Sequence, residues 1–417
     1  MKYISIAFIV TVLLVTPWLM QNSPRTLEYL DSAYGFIGRN FAAVILHDPV
    51  TVADLHTRYN NVTPEKKIRI LIVPGHEPDF GGTEYRGLKE RELNMQLAKE
   101  LRDFLVKNGH YEVIMTRDDK KWDPIFSIYF QSNWSDIISF FKSNKEDTLH
   151  FVSSGTPVKT SAKVYHNAAP QNVAYRLYGI NKWGNENDID IAIHVHFNDY
   201  PRRNVSEAGT YSGFAIYVPE RMYANSTTTR AIADTVFKRL AKYNPVSNLP
   251  NENSGVIEEP DLIAIGAYNT ADAASMLIEY GYIYEPQIFD EKVRDTTLKD
   301  LAFQTYLGLQ DFFGSGNDVS FAYDTLVLPH AWKNTMTSSQ SNPDDVLALQ
   351  TAMLIDGVYP GAGKTKNDCP RTGRLGPCTL SALNTFQKKY GIKGEEGMVG
   401  EKTKKVLNTK YSVQSVI

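Results

Sequence analysis

The chain has 417 residues, 42% of them hydrophobic and 22% charged, with a net charge of -3. That length divides into two or three folded units rather than one core. The composition is that of a globular protein, and the charge balance excludes a nucleic-acid binder acting through a basic surface.

The N-terminus stands apart. Lys2 precedes an uncharged apolar run, Ile4–Met20, of about 17 residues, near the short limit for a bilayer span. No small-residue cleavage site follows Met20, so residues 1–22 read as a membrane anchor or a signal peptide. Either reading puts the rest of the chain outside the cytoplasm. Residues 23–66 are weakly patterned and read as a membrane-proximal segment.

An alternating α/β portion spans 67–314. Ile70–Val73 is a short apolar run that ends at Pro74-Gly75, with His76 next. A turn rich in glycine (Gly81, Gly82, Gly87) leads to Glu90 and a helix whose Leu93, Leu97, Leu101 and Leu105 repeat every four residues. Tyr111–Thr116 is the next strand. Residues 118–171 break the rhythm with Trp122, Phe126, Tyr129, Phe130, Trp134, Phe140 and Phe141. This segment reads as an inserted subdomain with its own small core, or as a lid over a site. Val173–Trp183 is helical. Ile189–Phe197 alternates, with isoleucine, valine and phenylalanine on one face and Asp190, Ala192, His194 and His196 on the other. Gly213–Val218 is a strand, Ala231–Tyr243 a helix, Ala274–Glu279 a strand closing on a carboxylate, and Leu298–Phe313 a helix. Strands alternating with helices predict a mainly parallel sheet flanked by helices on both faces. Residues 315–343 read as a linker, and 344–410 as a small all-α unit of three helices. Cys369 and Cys378 lie nine positions apart there. In an oxidising compartment they would close a short disulfide loop; the alternative is two free thiols.

In open α/β sheets, sites form at the carboxyl ends of strands. His76, the His194/His196 pair and Glu279 all fall at that edge. On the helix, Glu90 lies about 20° from the Leu97 and Leu101 directions, while Glu92 lies roughly 140–180° away. Glu90 therefore faces inward, where an unpaired carboxylate is costly and a metal would satisfy it. Two histidines and a carboxylate with an open position are a zinc arrangement of hydrolases. The ligands would be His76, Glu90 and His194, with Glu279 as the proton-carrying carboxylate. On pattern alone His196 competes with His194, because both occupy one face.

The stretches PGHEPDFGG, GLKERELN, VIMTRDDK, IAIHVHFND and MLIEYGYI, in that order, resemble the zinc-dependent N-acetylmuramoyl-L-alanine amidases of the amidase-3 family. The resemblance covers Ile68–Phe313. It implies hydrolysis of the bond between N-acetylmuramic acid and the L-alanine of peptidoglycan stem peptides. It also implies one Zn2+ on His76, Glu90 and His194, with Glu279 catalytic; His196 and Arg117 are candidates for supporting them. The chain departs from the family at Val73, where aspartate is usual, and at Glu77-Pro78, where Gly-Gly is usual. The position two residues after the second histidine ligand is often asparagine, and here is His196. Some relatives carry an inhibitory helix where this chain has residues 118–171, which suggests a gate opened by an activator protein. The stretches VLALQTAMLIDGVYP, TGRLGPCTLSALNTFQKKYGI and GMVGEKTKKVL are similar to the peptidoglycan-binding type 1 domain. Both resemblances imply peptidoglycan as the partner. The rival readings are a zinc peptidase cutting within the stem peptide and a non-catalytic wall-binding protein.

Overall fold

The computed structural model describes residues 49–153, 169–200, 203–266, 269–315 and 323–412, the side chains of 147–153 excepted. The expected anchor or signal segment, and all of 23–66 before Pro49, lie outside them. Among the described residues no helix is long and apolar enough to cross a membrane.

In chain order the elements are α1 (Val52–Asn60), β1 (Ile68–Pro74), β2 (Glu84–Tyr85), β3 (Leu88–Lys89), α2 (Glu90–Asn108) and β4 (Tyr111–Met115). Then come α3 (Pro124–Ser132), α4 (Trp134–Ser153), α5 (Gln171–Glu186), β5 (Ile191–Asn198), β6 (Ala215–Pro219) and α6 (Ser226–Tyr243). The rest are β7 (Val256–Glu259), β8 (Ala274–Tyr282), α7 (Pro286–Phe289), α8 (Glu291–Phe312), α9 (Pro343–Ile355), α10 (Pro377–Lys389) and α11 (Glu401–Tyr411).

Six strands form one sheet in the order β4-β1-β5-β8-β6-β7. β4, β1, β5 and β8 run parallel, and β6 with β7 runs antiparallel to them. The sheet is thus mainly parallel, and its faces follow from strand alternation. Ile68, Ile70, Ile72, Ile191, Ile193, Val195, Met276 and Ile278 pack against α2, α6 and α8. Leu71, Val73 and Ala192 point the other way. β7 was not foreseen, being only four residues long. α8 begins seven residues before the expected Leu298, because Asp290 caps it by accepting from the Lys292 amide.

Over its described residues, the aromatic segment 118–171 shares a core with the sheet instead of building one of its own. Asp123 caps α3, whose second residue amide it accepts at 2.9 Å, and Pro124 sits at the first helical position. Phe126, Phe130 and Ile137 then pack on Leu71 and Val73 of the sheet and on Ile180 and Trp183 of α5. The physical reason is plain: a two-faced sheet needs a second helical layer, and these helices supply it.

The expected linker is packed structure over its described part. Val327, Leu328, Trp332 and Met336 are buried in the core of α9–α11. The helical unit is also fastened to the sheet unit. Arg371, 7% exposed, donates to the Tyr243 carbonyl at 3.0 Å and to Thr351 Oγ1 at 2.7 Å, and faces Asp300 at 3.5 Å. Asn367 Nδ2 donates to the Val246 carbonyl at 2.6 Å. Cys369 and Cys378 form a disulfide.

Because Phe126 is fully buried between helix layer and sheet, Phe126→Ala is expected to destabilise the protein by about 3–5 kcal/mol in denaturant titration. A change within about 0.5 kcal/mol, as at an exposed surface position, would show that the segment is peripheral.

Candidate metal centre

The site is built around the first residue of α2. The loop that follows β1 turns back sharply. Gly75 continues the sheet by donating to the Val195 carbonyl at 2.9 Å, and His76 then takes a left-handed conformation at φ 67°. Such backbone is uncommon for a residue other than glycine and points to a functional constraint. It turns the imidazole toward Glu90, whose Oε2 lies 2.8 Å from His76 Nε2. Two glycines make the room. A Cβ on Gly75 would lie 2.3 Å from the His196 ring, and one on Gly82 would lie 3.0 Å from His76 Cδ2.

Glu90 is 4% exposed and Glu92 is exposed, as the helix phase requires. The buried carboxylate is fully engaged. Oε2 accepts from the Thr83 amide at 3.0 Å; Oε1 accepts from the Phe197 amide at 3.3 Å and from Asn94 Nδ2 at 3.3 Å. His196 Nδ1 lies 3.1 Å from Oε1. Burial alone would raise the Glu90 carboxyl, but the His76 and His196 imidazoles outweigh it and hold it well below the usual range. Burial pushes the His196 imidazole down, with His76 and Arg117 adding to it against the pull of Glu90. A neutral imidazole is the form that binds metal.

His76, Glu90 and His196 are the one group, among the described residues, whose ligand atoms all lie within 4.8 Å of one another. The two histidine side chains keep 29% and 18% of their surface, so the cluster is open on one side. Two nitrogens, one carboxylate and an open side fit a catalytic divalent ion. The structure does not bring His194 into this group, contrary to the expectation from sequence. His194 pairs in register with Val73 and Leu277, inside the sheet, whereas His196 pairs with Glu279 at its carboxyl edge. Two residues along a strand keep the face but move about 6.6 Å. His194 is 4% exposed, its Nε2 has no hydrogen-bond partner, and burial pushes it down to about 3. Its imidazole is buried and uncharged, two residues further into the sheet than His196. With His196 as the third ligand, the residue two places on is Asn198, which restores the family pattern.

Glu279 is 7% exposed and its Oε2 has no hydrogen-bond partner. Burial pushes its carboxyl well above the usual range, and the charges of Glu90 and Glu252 push it further. Glu252 was missed by sequence reasoning, since it sits in a turn, Asn251–Ser254, without periodicity. It is fully buried and accepts from Asn198 Nδ2 (2.7 Å), Tyr217 (2.6 Å), Ser247 (2.5 Å) and Tyr282 (3.1 Å). It thereby ties Asn198 and Tyr282, the last residues of β5 and β8, to Tyr217 in the middle of β6. Asn94 was also missed, although its place four residues after Glu90 on one helix face was visible. Arg117 reaches the site through the backbone: it is 2% exposed and donates to the carbonyls of Pro74 (3.2 Å), Gly75 (2.8 Å) and Arg91 (3.0 Å). Burial lowers its guanidinium to about 10, so it remains charged at neutral pH.

With this geometry in hand, comparison with known proteins gives the class. The model of the amidase-3 family, described as N-acetylmuramoyl-L-alanine amidase, matches residues 70–311. The chain belongs to that family. A probable N-acetylmuramoyl-L-alanine amidase AmiB of Haemophilus influenzae is 24% identical over 291 residues, which are 67% of this chain and 61% of the relative. The chain thus spans less than two thirds of that curated relative's length. Similar solved structures include the CwlD amidase of Clostridioides difficile in complex with the GerS lipoprotein (16% identity, 60% of this chain and 99% of that one, TM-score 0.39). Another is the amidase Ami1 of Mycobacterium smegmatis (15% identity, 60% and 97%, TM-score 0.39).

The placement of the two strand histidines is directly testable. After metal loading and desalting, His196→Ala is expected to retain only background metal by elemental analysis. His194→Gln is expected to keep the wild-type stoichiometry, whatever its effect on thermal stability. The reverse pattern would restore His194 as the ligand.

Proposed function

We propose that the protein is a zinc-dependent N-acetylmuramoyl-L-alanine amidase that cleaves the bond between N-acetylmuramic acid and L-alanine in peptidoglycan, for remodelling the wall or separating daughter cells. The observation that carries this reading is the convergence of His76, Glu90 and His196 on one point, with the buried carboxyl of Glu279 paired in register with His196.

His76, Glu90 and His196 would hold the zinc ion. When bound, the ion supplies Lewis-acid polarisation of the scissile carbonyl and a lowered pKa for water. The rest falls to the chain's own groups. Glu279 takes the proton of the attacking water and delivers it to the departing L-alanine nitrogen. Its environment suits the task, because a carboxyl with raised proton affinity can hold that proton between the two transfers. Glu252 ties Asn198 to Tyr282, just past the irregularity that follows the His196–Glu279 pair, and Arg117 fixes the backbone before His76.

The α9–α11 unit would bind peptidoglycan, as its resemblance to the peptidoglycan-binding type 1 domain implies. The protein would act outside the cytoplasm, attached or directed there by residues 1–22. Residues 118–171 would be the surface on which an activator protein acts.

Glu279→Gln is expected to lower hydrolysis of muropeptides by roughly 10²–10⁴-fold while the protein keeps its bound metal. Mass spectrometry of digested peptidoglycan should show free stem peptides and uncut glycan. Full activity of Glu279→Gln would end its assignment, and products cut within the stem peptide would replace the amidase reading with a peptidase.

A further inference from the structure

The residue after His76 is Glu77, at a place where the family pattern has glycine. It is 7% exposed. Arg176 of α5 grips it with both arms of its guanidinium: Nε lies 2.5 Å from Oε1 and Nη2 lies 2.9 Å from Oε2. The Glu77 amide also donates to the Phe80 carbonyl at 3.1 Å, closing the turn that follows His76. Planar two-point pairing of this kind fixes orientation as well as distance.

His76 is therefore bracketed. Upstream, Arg117 holds the carbonyls of Pro74 and Gly75. Downstream, Arg176 holds the side chain of Glu77. Between them His76 holds a left-handed backbone at φ 67°, a conformation that costs energy for a residue other than glycine. The two clamps come from different places. Arg117 follows β4, while Arg176 belongs to α5, which packs with Phe126, Phe130 and Ile137 of the aromatic segment.

We propose that the Glu77–Arg176 ion pair is a positioning device for His76, which makes the metal affinity of the site depend on the seating of α5. A displacement of α5 relative to the sheet would pull Arg176 from Glu77, relax the His76 turn and loosen the ion. The inference rests on His76 being a metal ligand, so its test carries a wild-type arm that judges that reading separately.

The test is zinc affinity of the metal-free full chain by competition with a chromophoric chelator, with thermal melting measured alongside. Arg176→Ala and Glu77→Gln are each expected to weaken zinc binding by roughly 10–100-fold. The double variant should lose no more than either single variant, because both remove the same interaction. Arg239→Ala is the control. It breaks a pair with Asp311 and Asp324 on the other side of the sheet, and should lower the melting temperature with zinc affinity unchanged. If Arg176→Ala does not fold, Glu77→Gln, which conserves shape, decides. Folded single variants that bind zinc as tightly as wild type, or losses that add in the double variant, would overturn the inference. A wild-type chain that binds no zinc would overturn the ligand reading and this inference with it.

Discussion

A buried carboxylate at the start of a helix is the constraint on which the site depends. Glu90 is removed from water, and an ionised group so placed must be surrounded by donors. The helix terminus favours a negative charge there. The remaining demand is met by the amides of Thr83 and Phe197, by Asn94, and by the imidazoles of His76 and His196. These partners come from the loop after β1, from α2 itself and from the end of β5. One ionised group thus fixes three segments against one another, and the fixed point is where two nitrogens and two oxygens meet.

Much of the surrounding architecture serves that arrangement. Gly75 and Gly82 lie where a side chain would strike the imidazoles. Arg117 holds the backbone that presents His76. On the far side, Glu252 binds donors from β5, β6 and β8, and so joins the ends of the strands carrying His196 and Glu279 across the irregularity between His196 and Asn198. The charges of Glu90 and Glu252 also act on Glu279, and they separate the behaviour of two neighbouring carboxyls: Glu90 is held ionised by imidazoles, and Glu279 is driven toward its protonated form. An ionised carboxylate suits a metal ligand, and a carboxyl of raised proton affinity suits a proton carrier.

What could be read from sequence follows from which physical signals are local. The choice of Glu90 over Glu92 was legible because helix phase depends only on spacing. The mainly parallel sheet was legible from the alternation of apolar runs. His194 and His196 were not separable by phase, since a period of two puts both on one face; what separates them is how far β5 extends before the sheet ends, which neighbouring strands decide. The asparagine at position 198 was the available clue. Glu252 carried no signal, because its role exists only once three distant strands converge. The aromatic segment 118–171 reads as a subdomain with its own core or as a lid, whereas Phe126 and Phe130 pack with Leu71 and Val73 of the sheet. Local sequence records that a segment is apolar, and says nothing of which surface it covers. The same holds for Trp332 and its neighbours in the expected linker.

Anomalous diffraction at the zinc absorption edge, from crystals of the zinc-loaded protein, tests the central claim most directly. The account predicts one strong peak within coordination distance of His76, Glu90 and His196, with Glu279 facing the open side and His194 well beyond reach. A peak coordinated by His194, or zinc-loaded crystals with no peak at Glu90, would contradict it.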